Sequence, residues 1–328
     1  MKGWFSTLTV GLLVACGGAC GGSGGLSYSP VSATADATAT LYTLHMGALK
    51  VVIDASMGAR ITEFSLNGTN VLTGPDVDSE NYGSTYWPSP QSAWCQSGTG
   101  CWPPIGPIDR RQYTGSIDPA TNVIQLTSGT ALIVGFPDSA VTVTKQFTPV
   151  PASGAVDVTY TLSNVSPSVA ISVAPWQVSR VQGTGGLTFF GSPDGTVSYA
   201  DGSDPAFTFA PAGGQLWYPS SAVVTDSKAL ADGSGWIAHV TEGGLLYLLA
   251  YPDIQPTEAA PGDAEVEVFT GPGADYQEIE SQGAYTAVPP GGTLAWTVRW
   301  KLRPVPSGTS VAAGSADLAA LTSATLAE

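Results

Sequence analysis

"AVTVTKQFTPVPASGAVDVTYTL", residues 140–162, decides the fold class. In its first half, Val141, Val143, Lys145 and Phe147 fall on one face, and Thr142, Thr144 and Gln146 on the other. In its second half, Val156, Val158, Tyr160 and Leu162 share a face. Alternation with period two marks an antiparallel strand with one buried side. Strand runs are also expected at Ala48–Asp54, Ala59–Leu66, Asn122–Thr127, Ala131–Gly135, Val169–Ala174 and Leu187–Phe190. The later ones are Gly235–Thr241, Leu245–Tyr251, Ala264–Thr270 and Thr293–Leu302. Turn signals such as Asn67-Gly68 and Pro290-Gly291-Gly292 separate them. Only Ala312–Leu326 has helical character, and its Ala/Ser/Thr content makes that marginal. A dozen strands without a linker predict one sandwich domain over residues 40–303, followed by a tail at 304–328 that is frayed or a short helix.

Composition narrows the partners. Only 11% of the 328 residues are charged, against about 25% in ordinary domains. The formal net charge is −15, a field that repels a phosphate backbone and argues against nucleic acid. Neutral ligands need no such field. A monomer is expected.

The N-terminus reads as a targeting segment. Lys2 precedes an apolar run, Trp4–Val14, too short to span a bilayer but right for a signal peptide. It ends in Leu13-Val14-Ala15-Cys16, which resembles a bacterial lipobox with Cys16 as the lipidated residue. Ordinary signal cleavage near Ala15 or Ala19 is the alternative. Residues 1–16 would then be a lipoprotein signal peptide and 17–39 a flexible tether rich in Gly, Ser and Ala. This predicts an exported protein of the bacterial cell envelope, anchored to a membrane, periplasmic or at the cell surface. In such a compartment Cys95 and Cys101, which enclose five residues, read as a local disulfide worth about 2 kcal/mol. Cys20 lies in the tether with no assigned role.

Residues 86–104, "YWPSPQSAWCQSGTGCWPP", hold Trp87, Trp94 and Trp102 among four prolines and show no strand alternation. Indole offers a flat apolar face and one donor, which suits stacking on a sugar ring. The competing reading is that the rings cap an open end of the sandwich.

"DASMGARITEFSLNGTNVLTG", residues 54–74, resembles the first hairpin of the galactose mutarotase-like superfamily. The closing segment Tyr276–Leu302 resembles the end of that fold. "NYGSTYWPSPQ" followed by Trp-Pro-Pro resembles a bacterial lipoprotein subgroup of it. The resemblance implies a large antiparallel β-supersandwich with carbohydrate bound on its concave face. Mutarotases place a general-base glutamate in a late strand, and Glu280 in Ile279-Glu280-Ser281-Gln282 is the match. Their histidine acid has no counterpart, because Pro175-Trp176 stands in its place and the two histidines, His45 and His239, lie elsewhere.

Glu278 with Glu280, and Glu265 with Glu267, each share a strand face. Such pairs suit acid–base work, a calcium ion, or simply a solvated surface. Asp194, Asp201 and Asp204 add oxygen donors without a calcium-loop spacing. Asp109-Arg110-Arg111 is unusual in a chain with 11 basic residues. Arg110 would bind vicinal hydroxyls or a uronate, or else anchor the loop through a salt bridge. Arg60 and Trp176 complete the expected sugar-binding set with Trp87, Trp94, Trp102 and Arg110, and no metal ligand is assigned. A sugar-processing enzyme, epimerase-like or glycan-cleaving with Glu280 as base, and a structural envelope protein are the two other readings.

Overall fold

A computed structural model describes residues 26–95, 101, 104–273 and 275–328. Cys16, Cys20 and Trp102 lie outside the described residues. The chain opens with β1 (Val31–Ala35), β2 (Leu41–Met46), β3 (Leu49–Asp54), β4 (Arg60–Leu66), β5 (Thr69–Asn70) and β6 (Ser84–Ser89). There follow β7 (Thr114–Ile117), β8 (Ile124–Thr127), β9 (Val141–Val150), β10 (Ala155–Asn164), β11 (Ile171–Gln182) and β12 (Leu187–Gly191). Next come β13 (Ser198–Tyr199), β14 (Ala210–Ala212), β15 (Gln215–Pro219), β16 (Ser227–Ala231), β17 (Trp236–Val240) and β18 (Leu245–Ala250). The last strands are β19 (Val266–Thr270), β20 (Tyr276–Gln282), β21 (Thr286–Val288) and β22 (Thr293–Pro304). Helix α1 (Gly106–Asp109) is one turn, and α2 (Ala316–Ala327) closes the chain.

These strands form two antiparallel sheets. The first runs β1-β2-β3-β4-β6-β11-β20-β19-β16-β13, with β5 beside β4 and β21 beside β11. The second runs β14-β15-β12-β17-β18-β22-β10-β9-β8-β7. The alternating run that opened the sequence reading is the β9–β10 ladder, with Val143 opposite Leu162 and Phe147 opposite Val158. The core lies between the sheets, where Tyr86 stacks on Tyr160 at 4.9 Å and Phe64 meets Trp300 edge-on at 5.3 Å. Polar side chains also cross this interface, Lys145 among them. Lys145 of β9 is fully buried, and its Nζ donates to the carbonyls of Gly58 and Ala59, 2.7 and 3.2 Å away. Those two residues form the turn that enters β4, and both have positive φ.

Several expectations need correction. Ala131–Gly135 is not a strand and touches the sheet through one bridge, Ala131 to Val141. Its run ends in Gly135-Phe136-Pro137, and Gly135 packs on Ala93 instead of pairing. Val31–Ala35, inside the stretch read as tether, is β1 and pairs with β2 along its full length. The proline-rich segment begins in strand β6, where no alternation was visible. Pro88 sits opposite Pro175 on β11. Antiparallel residues exchange two backbone bonds or none, and a Pro–Pro pair fits the rung that exchanges none. Because β4 meets β6 only at Ser84, the other side of Pro88 breaks no ladder either. In α2, Ser315 caps the helix by accepting from the Leu318 N–H. Leu318 is buried against Leu187, Trp217 and Leu246 on the second sheet.

Candidate functional site

Strands β6, β11, β20, β19 and β16 lie side by side in the first sheet. On β11, Ser179 points toward the second sheet, since its Oγ is 2.9 Å from the Tyr247 hydroxyl. Trp176, Val178 and Arg180 therefore point the opposite way. Register places Trp87 opposite Trp176, Glu280 opposite Val178, and Glu267 opposite Glu280. One ribbon of side chains thus crosses the outer face of the sheet. It holds an aromatic cluster of its own, Trp87, Trp94, Trp176 and Val178, separate from the main core.

A cleft of about 440 Å³ opens on this ribbon. Trp87 and Trp176 form its aromatic wall, and their rings meet edge-on at 5.2 Å. Lys228, Glu278, Asn81 and Tyr276 supply polar edges, with Asp226 and Gln91 further out and Phe269 adding apolar surface.

Beneath the cleft sits a buried charge network. Lys228 of β16 has its Nζ 2.5 Å from Glu267 Oε2 and 3.4 Å from Glu280 Oε2. The Trp176 indole N–H donates to the same Glu280 oxygen at 2.9 Å, and the Lys228 ammonium lies 5.0 Å from the Trp176 ring centre. Glu280 is completely buried, and burial pushes its carboxyl well above the usual carboxylate range, with Glu267 and Glu278 adding to the rise against Lys228. The two nearby carboxylates hold the Lys228 ammonium above its ordinary pKa despite its burial. Glu278, two residues before Glu280, is the member of that pair that reaches the cleft, with its side chain 12% exposed. It accepts from Arg180 Nε at 2.8 Å. Arg180 also donates to Thr85 Oγ1 at 2.7 Å and lies over the Trp87 ring at 4.9 Å.

A second network fixes Trp87 from behind. Its indole N–H donates to Asp109 Oδ1 at 2.8 Å. The other Asp109 oxygen accepts from Arg110 Nε at 3.2 Å and lies 3.7 Å from Arg60 Nη2. Arg60 is buried, donates to the Glu80 carbonyl, and stacks over Tyr82. Arg110 also bridges to Glu80 at 2.6 Å. Both arginines thus act as supports behind the wall and do not line the cleft.

The structure brings Trp87, Trp176 and Glu280 together, although Glu280 lies under the cleft. Trp94 packs behind Trp87 and Trp176 and donates to the Pro88 carbonyl, so it is support as well. Cys95 and Cys101 form the expected disulfide. His239 lies on the second sheet, fully buried, with Nδ1 2.9 Å from Thr188 Oγ1. His45 is exposed on β2. Neither lines the cleft. Trp217, Trp296 and Trp300 are core residues. The glutamate pairs are not a solvated face: Glu265, Glu267 and Glu280 are all buried. Asp194 and Asp204 accept from backbone N–H groups of their own loops or of the neighbouring loop at Val224. Among the described residues, no group of three or more His, Cys, Asp or Glu side chains is placed to hold a metal ion. Sequence reading missed Lys228, Asn81, Asp226, Tyr276 and the positioning residue Asp109. The scarcity of basic residues was a usable signal for Lys228, and Asp109 stood in the unusual Asp109-Arg110-Arg111 run, whereas Asn81, Asp226 and Tyr276 carried none.

The two-sheet architecture is the galactose mutarotase-like β-supersandwich. No protein-family model matches the sequence, and no curated protein matches it. Solved structures do match in fold. A galactose mutarotase-like protein from Lactobacillus casei superposes with a TM-score of 0.57 at 11% identity, covering 80% of this chain and 100% of that one. A galactose mutarotase-like protein from Clostridium acetobutylicum gives 0.54 at 10% identity, covering 84% and 98%. A galactose mutarotase related enzyme from Lactobacillus acidophilus gives 0.50 at 10%, covering 84% and 99%. At these identities the likeness is one of fold.

Proposed function

We propose that the protein binds a carbohydrate in the cleft walled by Trp87 and Trp176. The observation that carries this reading is the pairing of two indoles with polar side chains of both signs around one opening. The apolar C–H face of a pyranose stacks on indole, and its hydroxyls pair with Lys228, Glu278 and Asn81. Binding is preferred to epimerisation on chemical grounds. Ring opening needs an acid and a base, yet no histidine lines the cleft and Glu280 is engaged beneath it. The N-terminal sequence supports an exported, lipid-anchored protein that presents this cleft in the envelope.

Calorimetric titration with neutral hexoses and short glycans tests the proposal. Saturable millimolar or tighter binding that is lost in Trp176→Ala is the expected result. No binding by any neutral sugar at that concentration would overturn it.

A further inference from the structure

A second, smaller cavity of about 130 Å³ lies at the end of the β16–β19 ladder. Ala231 pairs with Val266, so Asp232 and Glu265 emerge next to each other beyond that rung. Asp263 approaches from the preceding turn. Ile254, Pro256 and Ala259 form the apolar side of the cavity.

Three carboxylates line it, and none is in an ion pair among the described residues. Glu265 is 2% exposed. Its Oε1 accepts from the Gly235 N–H at 2.9 Å, while its Oε2 accepts no hydrogen bond. Asp232 Oδ1 is likewise buried without a partner. A buried carboxylate oxygen with no donor is costly. Burial, and then the charges of Asp253 and Asp232, push Glu265 up to about 7. Burial and Glu267 push Asp263 up to about 6. Burial, Asp194 and Asp253 also raise Asp232. Asp263 Oδ2 already accepts from Ser89 Oγ at 2.5 Å, so the two carboxylate oxygens left without a donor are Glu265 Oε2 and Asp232 Oδ1. The approach is tight on one side, where a Cβ on Gly233 would lie 2.6 Å from Glu265 Oε1.

We propose that this cavity binds a primary alkylammonium group, the head between Asp232 and Glu265 and the alkyl stem against Ile254, Pro256 and Ala259. An ammonium brings three donors and a full charge to two orphaned oxygens. The carboxylates are not arranged as a metal cage, and an apolar wall fits a hydrocarbon stem better than a hydrated ion.

Calorimetric titration of the full chain tests this with n-butylammonium, n-butanol as its neutral counterpart, calcium chloride, and a blocked lysine amide. Saturable butylammonium binding, absent for butanol and weakened roughly tenfold or more in Glu265→Gln, is expected. Asp232→Asn, at the rim, gives the same direction if Glu265→Gln fails to fold. Binding of the lysine amide as well assigns a lysine side chain as a source, and butylammonium alone restricts the site to free amines. Butylammonium that binds no better than butanol, that is indifferent to both variants, or that is outcompeted by equimolar calcium overturns the proposal. The readout is independent of sugar binding in the larger cleft.

Discussion

The indole N–H of Trp176 donates to the buried carboxyl of Glu280 across 2.9 Å, so a cleft wall is pinned by a group the cleft does not expose. Glu267, the cross-strand neighbour of Glu280, holds Lys228 more closely, at 2.5 Å against 3.4 Å. Burial also raises the Glu280 carboxyl above the usual carboxylate range, so Glu267 is the nearer counter-charge of the buried lysine. Glutamine at position 280 keeps an oxygen for Trp176. Glu280→Gln is expected to change unfolding free energy by less than about 1 kcal/mol, whereas Glu267→Gln strips the buried lysine of its counter-charge and costs about 3 kcal/mol or more. Urea denaturation of both variants decides it, and equal losses would refute the assignment.

The tryptophans divide into those the ligand touches and those that hold them. Trp176→Ala is expected to weaken sugar binding by at least about tenfold through loss of the stacking surface. Trp94→Phe keeps most of the apolar packing and is expected to leave affinity within about threefold while lowering thermal stability. Titration calorimetry beside a melting curve separates the two effects. Equal loss of affinity in both variants would place Trp94 in the cleft.

Asp109 and Arg110 are neighbours in sequence but unequal in weight. Asp109 is buried, orients Trp87 and compensates Arg60, so Asp109→Ala is expected to cost about 3–5 kcal/mol. Arg110 is part-exposed and pairs at the surface with Glu80, so Arg110→Ala is expected to cost less than about 1 kcal/mol. Chemical denaturation measures both, and a large Arg110 effect would mean that its bridge is more than a surface contact.

His239 sets an acid limb of stability. Burial lowers its pKa from 6.5 to about 3. Between those values the unfolded chain binds a proton that the folded chain does not. Its contribution is therefore complete above pH 6.5 and is lost progressively as pH falls toward 3. Replacing it with glutamine is expected to flatten unfolding free energy over that window. Parallel profiles for wild type and variant would show that the imidazole is not held neutral.

Sequence reading captured what local periodicity encodes and missed what distant pairing creates. β9 and β10 were visible because each carries its own alternation and meets the other across a short turn. β6 was hidden because its eligibility as a central strand depends on Pro175, 87 positions beyond Pro88, at the same rung. Glu278 and Glu280 do share a face, whereas Glu265 lies just before β19 and accepts from Gly235 beside the second sheet, and a shared face does not say whether water reaches it. Here β16 and β11 bring up Lys228 and Trp176, which cover or neutralise Glu267 and Glu280. The Trp-rich segment showed its chemistry by composition. Which ring faces outward follows from the β6–β11 register, and Trp176 on the partner strand was legible only through the family resemblance.

Lys145 ties the second sheet to the turn that launches β4 in the first, with its amino group donating to two carbonyls inside the sandwich. Such a strap resists shear. Sliding one sheet over the other by a residue would strand a buried amine and two buried carbonyls, so the layers are locked in phase. The placement of the ribbon bearing Trp87 and Trp176 is then inherited from the whole sandwich, so the cleft wall is set by the fold as a whole.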